Sequence, residues 1–183
     1  MRGDGTTFYH EYGHYVVDQE KWIKGGECVG DFARFEAAVK KEIKAYYTSI
    51  ENEIRAKLIA EETAKSGTRF FTDEQLLKIE KKVTEQTTAA IKTDICGSGN
   101  ETYHVNNGLS DIIDGVSNGK YQPSYGHDVG YWDKDPSRVA NEAFAQFFSA
   151  QMTGDTVEME KMKELMPEAY DIYMDMVSKA AGE

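Results

Sequence analysis

The stretch His10-Glu11-Tyr12-Gly13-His14 is the most informative part of this 183-residue sequence. It lies in an apolar and aromatic pattern of helical period that runs from residue 7 to about residue 21. Because a helix turns once in about 3.6 residues, histidines four positions apart project from one face and can bind the same metal ion. Glu11 is turned by about 100° from the first histidine, where its carboxylate can take a proton from a water molecule. The stretch therefore predicts a metal-binding helix, and Gly13 predicts that another segment packs closely against it.

The pattern is HExxH, which in zinc metallopeptidases supplies two metal ligands and a general base. Such a site needs a third protein ligand. One completion would put glycine and histidine at positions 17 and 20, but Val17 and Glu20 stand there, so that class is excluded. The other completion takes a glutamate from a second helix, and Glu142 in the small and aromatic stretch 141–150 is the best candidate. A carboxylate in so apolar a stretch is costly unless it is paired or bound to a metal.

We therefore expect one Zn²⁺ per chain, bound by His10, His14 and Glu142. Four residues of the preceding loop remain alternatives for the third ligand: Asp111, Asp114, His127 and Asp128. Glu11 is the expected general base and then general acid of peptide hydrolysis.

A donor that stabilises the developing oxyanion is also expected in the loop before Glu142. Tyr131 ranks first among the candidates because it lies shortly before the ligand helix, and His127 and Tyr125 follow in that order.

The rest of the chain predicts a mainly helical fold. A short strand is expected between Arg2 and Phe8, and a long helix with one apolar stripe from Asp31 to about Ala64. The stretch Thr72-Asp73-Glu74-Gln75 has the form of a capping box and predicts a second long helix to about Lys92. The two helices predict a helical hairpin, inserted at about residues 30–95.

The remaining sequence predicts loop and further helices. Glycines punctuate residues 94–136, which predicts a loop around one short helix at 109–116. Asp135 or Ser137 can cap the next helix, which is expected to end near Met152, and residues 157–181 predict one or two more helices.

Composition limits the classes of partner and compartment. A net charge of -11 argues against nucleic acid as a partner, because phosphate binding needs a surplus of Lys and Arg. No apolar run reaches the roughly 18 residues of a membrane span, and no export signal is recognisable, so a cytoplasmic location is expected. Cys28 and Cys96 are expected to be free thiols, with a bridge between them as the less favoured alternative.

The motif helix and the segment Asn141-Glu142-Ala143-Phe144-Ala145-Gln146-Phe147-Phe148 together resemble the catalytic domain of anthrax lethal factor and its relatives. Glu142 falls on that family's zinc-ligand glutamate, and Gln146 falls where the family often has a second glutamate. The resemblance implies a zincin-like metallopeptidase core of the gluzincin type, with at most a small β element.

A closer resemblance is to the zincin-like C-terminal segments of phage minor head proteins. Three stretches carry it besides the motif: Thr6–Tyr9, Leu109–Asp114 and Tyr125–Trp132. It implies a single domain over residues 1–183 that forms the C-terminal part of a longer, phage-derived protein. The expected function is zinc-dependent hydrolysis of a peptide or protein substrate. The alternative is a zinc-binding but non-catalytic assembly module that contacts phage head proteins and is associated with the virion.

Overall fold

A computed structural model describes residues 5–18, 29–96, 107–124, 126–135 and 137–181. These ranges contain eight α-helices and no β-strand, which confirms the expectation of a mainly helical fold. The helices are α1 (Gly5–Asp18), α2 (Val29–Ser66), α3 (Asp73–Cys96), α4 (Asn107–Ser117), α5 (Val129–Lys134), α6 (Arg138–Thr153), α7 (Thr156–Leu165) and α8 (Pro167–Ala181).

Helix α6 lies at the centre of the fold. It contacts α1, α2, α4, α7 and α8, and its residues are buried on every side, as its small and aromatic composition requires. Phe144 and Phe147 are fully buried and pack edge-on against the ring of Phe35 from α2. The ring of Tyr173 from α8 meets Phe144 edge-on and stacks on Phe147. Full burial of one such side chain stabilises the fold by about 1.5–3 kcal/mol. The helix that carries Glu142 is therefore held by the hydrophobic core along most of its length.

The long helices α2 and α3 form the expected hairpin. Gly67, at φ +68°, ends α2, and its N–H donates to the carbonyl of Thr63. The capping box before α3 is confirmed, because Thr72 Oγ1 accepts from the N–H of Gln75 while Gln75 Oε1 accepts from the N–H of Thr72.

Residues at the base of the hairpin pack in the main core, so the hairpin is not a self-contained insertion. Val39 and Ile43 of α2, with Ile91 and Ile95 of α3, lie in the same cluster as the aromatic residues of α6. Only the distal half has a small cluster of its own, built around Leu58, Ile79 and Val83. The hairpin therefore helps to fix α6 in place.

Two local expectations are wrong. Thr6, Thr7 and Phe8 are helical and not part of a strand, because α1 begins at Gly5 and is held there by a hydrogen bond from the Ser149 hydroxyl to the Thr6 carbonyl. The segment after the short helix α4 is not all loop, because α5 forms a further turn and a half at residues 129–134. Residues 1–4, where the rest of the strand was expected, lie outside the described ranges.

The two tail helices, α7 and α8, agree with the expectation from sequence. Cys96 is a buried free thiol, whereas Cys28 lies outside the described residues. In the part of the chain that the structure describes, no helix combines the length and the apolar character needed to cross a membrane.

Candidate metal centre

The site depends on an unusually close approach of α1 to α6. A Cβ atom added to Gly13 would lie 2.7 Å from the Cα of Ala145, well inside van der Waals contact. Glycine on one helix and alanine on the other therefore let the two backbones touch. This confirms the expectation that Gly13 permits close packing, and it brings the motif helix against the helix that carries Glu142.

Three ligand atoms meet where the helices touch. Nε2 of His10 and Nε2 of His14 each lie 3.3 Å from Oε2 of Glu142, and the two nitrogens lie 3.1 Å from each other. Within the described residues, these three side chains are the group of His, Cys, Asp and Glu that could hold a metal ion. His14 and Glu142, which are 128 positions apart in the sequence, are thus brought together, as the choice of Glu142 as third ligand predicts.

The size of this triangle fits a tetrahedral zinc ion. With Zn–N and Zn–O bonds of about 2.0–2.1 Å, two ligand atoms of a regular tetrahedron are about 3.3 Å apart. The three observed distances of 3.1–3.3 Å match this edge.

Glu142 divides its two oxygens between two groups of partners. Oε2 faces the histidine pair, while Oε1 accepts a hydrogen bond of 2.7 Å from the hydroxyl of Tyr131 and lies 3.5 Å from Nε2 of His127. The His127 and Tyr131 rings are stacked, with centroids 3.8 Å apart. Two of the three residues that the sequence suggested as oxyanion donors therefore lie beside the carboxylate of Glu142.

The surroundings keep Glu142 ionised and Tyr131 protonated. Burial alone would raise the pKa of Glu142, which is only 4 % exposed, but the neighbouring His10 and His14 imidazoles and the hydrogen bond from Tyr131 reverse the effect and hold its pKa well below the ordinary range. Burial, followed by the hydrogen bond to Glu142, raises the pKa of Tyr131. The phenol is consequently a donor at any physiological pH.

Gln146 supports the first histidine from the same face of α6. Its Oε1 accepts a hydrogen bond of 3.2 Å from Nδ1 of His10. In neutral His10, this contact places the proton on Nδ1 and leaves the lone pair on Nε2, the atom that faces the other two ligands. The tautomer is therefore the one that a metal site needs.

The rival ligands occupy other positions. Asp114 accepts a hydrogen bond of 2.9 Å from the indole N–H of Trp132, so it serves the core around α4 and α5. Asp128 is exposed and precedes α5, where its carbonyl accepts from the N–H of Tyr131. Asp111 is closer to the centre, and burial raises its pKa to about 6, but it is not a member of the ligand group. Tyr125 lies outside the described residues.

Arg138 is a site residue that the sequence did not indicate. Its guanidinium lies 4.3 Å from the ring centre of Tyr131, and Nη1 donates a hydrogen bond of 3.0 Å to the Tyr131 carbonyl. It therefore clamps the short helix α5 onto the start of α6, so that Tyr131 is held against Glu142. A cation seven residues after a tyrosine carries no signal in sequence, which is why it was missed.

Comparison with known proteins adds no family to these observations, since no protein-family model, curated protein or solved structure matches this chain.

Proposed function

We propose that this chain is a zinc-dependent metallopeptidase with a zincin-like core of the gluzincin type, acting on a peptide or protein substrate. The observation that carries the proposal is the triangle of ligand atoms from His10, His14 and Glu142, whose edges of 3.1–3.3 Å suit one zinc ion. Two histidines and a glutamate are a donor set that catalytic zinc sites use, leaving a fourth position for water or substrate. The resemblance to phage minor head proteins adds a phage or prophage origin to the proposal.

Zinc held by these residues would polarise the substrate carbonyl and bring the pKa of a bound water to about 7. Glu11 is exposed next to His10, and its negative charge acts on the His10 imidazole, which supports a position for its carboxylate at the open edge of the centre. There it accepts the proton of the attacking water and returns it to the leaving amine. On substrate binding the Tyr131 hydroxyl would turn from Oε1 of Glu142 to the substrate carbonyl oxygen and donate to it as negative charge develops there, while the stacked His127 keeps the phenol ring in place.

Metal content and the role of Glu11 can be tested on the same preparations. Protein purified without chelator is expected to contain about one zinc per chain, and His10→Ala or Glu142→Ala to lose it. Glu11→Gln is expected to keep the zinc but to cleave no member of a peptide library that the wild-type protein cleaves. Glu53→Gln, the same change at an exposed position of α2, serves as the control. Wild-type protein without metal, or an active Glu11→Gln variant, would contradict the proposal.

A second candidate function is a zinc-binding assembly module without turnover. The observation that favours it is the far end of the α2–α3 hairpin, where Phe70 is 89 % exposed and Leu77 is 72 % exposed. Apolar side chains so exposed at the end of a long hairpin are typical of a protein contact. In that case Phe70→Asp and Leu77→Asp would abolish association with head proteins without changing zinc content. Glu11→Gln would then change neither property.

A further inference from the structure

A hydrogen-bonded chain leads from α7 through α6 to the first metal ligand. Nε2 of Gln146 donates to Oε1 of Glu158, and Oε1 of Gln146 accepts from Nδ1 of His10. We propose that Glu158 is a positioning residue of the metal centre, which acts through Gln146 to keep the His10 proton on Nδ1 and so leave Nε2 for the metal. The inference rests on the proposed metal site.

The direction of the chain follows from the donors and acceptors available. An ionised carboxylate only accepts hydrogen bonds, so Gln146 must turn its NH₂ group toward Glu158. The amide then presents its oxygen to His10, and an oxygen there requires the imidazole to donate from Nδ1. Without an acceptor at position 158 the amide could rotate by half a turn. It would then offer N–H to Nδ1 and stabilise the tautomer that cannot bind metal through Nε2.

The packing around Gln146 confines its side chain closely. Gln146 is only 6 % exposed, and a Cβ atom added to Gly108 of α4 would overlap the end of its side chain. Gly108 is therefore required to accommodate this amide. The side chain is confined between α1, α4 and α7, so that the orientation of its amide group is its main remaining freedom.

A role for Glu158 as an ordinary helix cap does not account for its position. In a capping box the side chain of the third helical residue returns to the N–H of the N-cap residue, here Asp155. That N–H already donates to the carbonyl of Ala150, at a distance of 2.9 Å. The Glu158 side chain instead turns inward, where it is 3 % exposed. Burial of a carboxylate costs several kcal/mol unless it has a partner, and the structure gives it Gln146.

The test compares Glu158→Met with Glu158→Gln at pH 8. Burial raises the pKa of Glu158 to about 7, so the wild-type carboxylate is largely ionised at this pH. Methionine keeps the volume but removes the acceptor, and it is expected to weaken zinc binding by about 10–100-fold in competition with a chelator. Glutamine retains an accepting oxygen and is expected to restore most of the affinity. Glu160→Met, at an exposed position of the same helix, is expected to change nothing.

A second measurement reports the tautomer directly and needs no metal. Long-range ¹H–¹⁵N spectra of the metal-free full chain distinguish Nδ1–H from Nε2–H imidazoles, and the chain has only 4 histidines to assign. His10 is expected to be the Nδ1–H form in the wild-type protein and to lose that preference in Glu158→Met. Should the methionine variant not fold, the exchange Gln146→Glu with Glu158→Gln puts the carboxylate directly on His10 and is expected to bind zinc within about 10-fold of the wild type.

The outcomes separate this inference from the proposed function. If Glu158→Met keeps both the wild-type zinc affinity and the wild-type tautomer, Glu158 serves only to hold α7 on α6 and the inference is overturned. A more than 10-fold loss of affinity in the exchange variant also overturns it. Wild-type protein that binds no zinc refutes the proposed function, while the tautomer spectra still decide whether Glu158 controls His10.

Discussion

Substitution of Gly13 by alanine is expected to destroy the proposed metal centre without altering any of its three proposed ligands. The new Cβ would lie 2.7 Å from Cα of Ala145, whereas two carbon atoms need about 3.5–4.0 Å. Helix α1 must therefore move away from α6 by about 1 Å. Both histidine ligands are on α1 and the glutamate is on α6, so the 3.3 Å edges of the ligand triangle would widen to about 4 Å. That is too wide for one ion with bonds of about 2.0–2.1 Å.

The expected loss of zinc affinity is much larger than the loss of stability. Overpacking lowers the free energy of unfolding by about 1–3 kcal/mol, and the higher helix propensity of alanine offsets about 1 kcal/mol of this loss. The net cost of about 0–2 kcal/mol lowers Tm by at most about 8 °C in a chain of this size. We expect zinc affinity to fall by about 100-fold, in line with the rate loss that a misplacement of about 1 Å causes at catalytic sites.

Chelator competition for zinc and thermal unfolding of the metal-free protein measure the two effects separately. Gly30→Ala is the matched control, because a Cβ atom at Gly30 of α2 meets no atom within 4 Å. It is expected to leave zinc affinity unchanged and stability within about 1 kcal/mol of the wild type. A Gly13→Ala protein that binds zinc as tightly as the wild type would refute the reasoning, since the contact between α1 and α6 would then not set the ligand spacing.

Two further predictions concern the residues around Glu142. Tyr131→Phe is expected to retain zinc but to lower kcat by about 100-fold, as loss of one oxyanion donor does, and an unchanged kcat would exclude this role. The rise in Tm on zinc addition is expected to grow from about pH 6 to pH 8. Burial alone would lower the pKa of His10, but Glu142 raises it above 6.5. The protonated imidazole therefore stabilises the metal-free fold below about pH 6.5, and this stability is lost as the pH rises through the raised pKa, where zinc replaces the proton. Measurements of Tm with and without zinc between pH 6 and pH 8 test this prediction. A rise in Tm that is the same at every pH would contradict it.

The parts of the fold that sequence predicted are those with local or periodic signals. The apolar stripe of α2 recurs from Phe32 to Leu58, over about seven turns, and the capping box at Thr72 needs only residues three positions apart, so both are readable without tertiary information. The helical start of α1 could not be predicted from sequence, because its residues favour a strand on propensity alone. Packing against α6 and the bond from Ser149 decide its conformation. The short helix α5 was not predicted for the same reason, since its contacts with Asp114 of α4 and Arg138 of α6 hold it in place.

The residues of the site fall into the same two groups, those that local signals predict and those that depend on tertiary packing. His10, Glu11 and His14 follow from helical spacing, and Glu142 from the cost of a carboxylate in an apolar helix, so chemistry and periodicity suffice for them. The residues that hold the proposed ligands in place cannot be predicted from sequence in this way. Gln146 departs from the glutamate that the resemblance implies, and on sequence alone the departure weakens the site.

In three dimensions a carboxylate is still present, on Glu158 of α7, but it reaches His10 only through the amide of Gln146, which lies between them. A charge in this position still fixes the imidazole tautomer, but it does not lie directly against the ligand, so it adds less negative charge to the centre than a direct carboxylate would. The centre then retains more net positive charge once zinc is bound, which favours ionisation of a water at the open position. The substitution at 146 is therefore compatible with an active hydrolase only as long as position 158 supplies the acceptor.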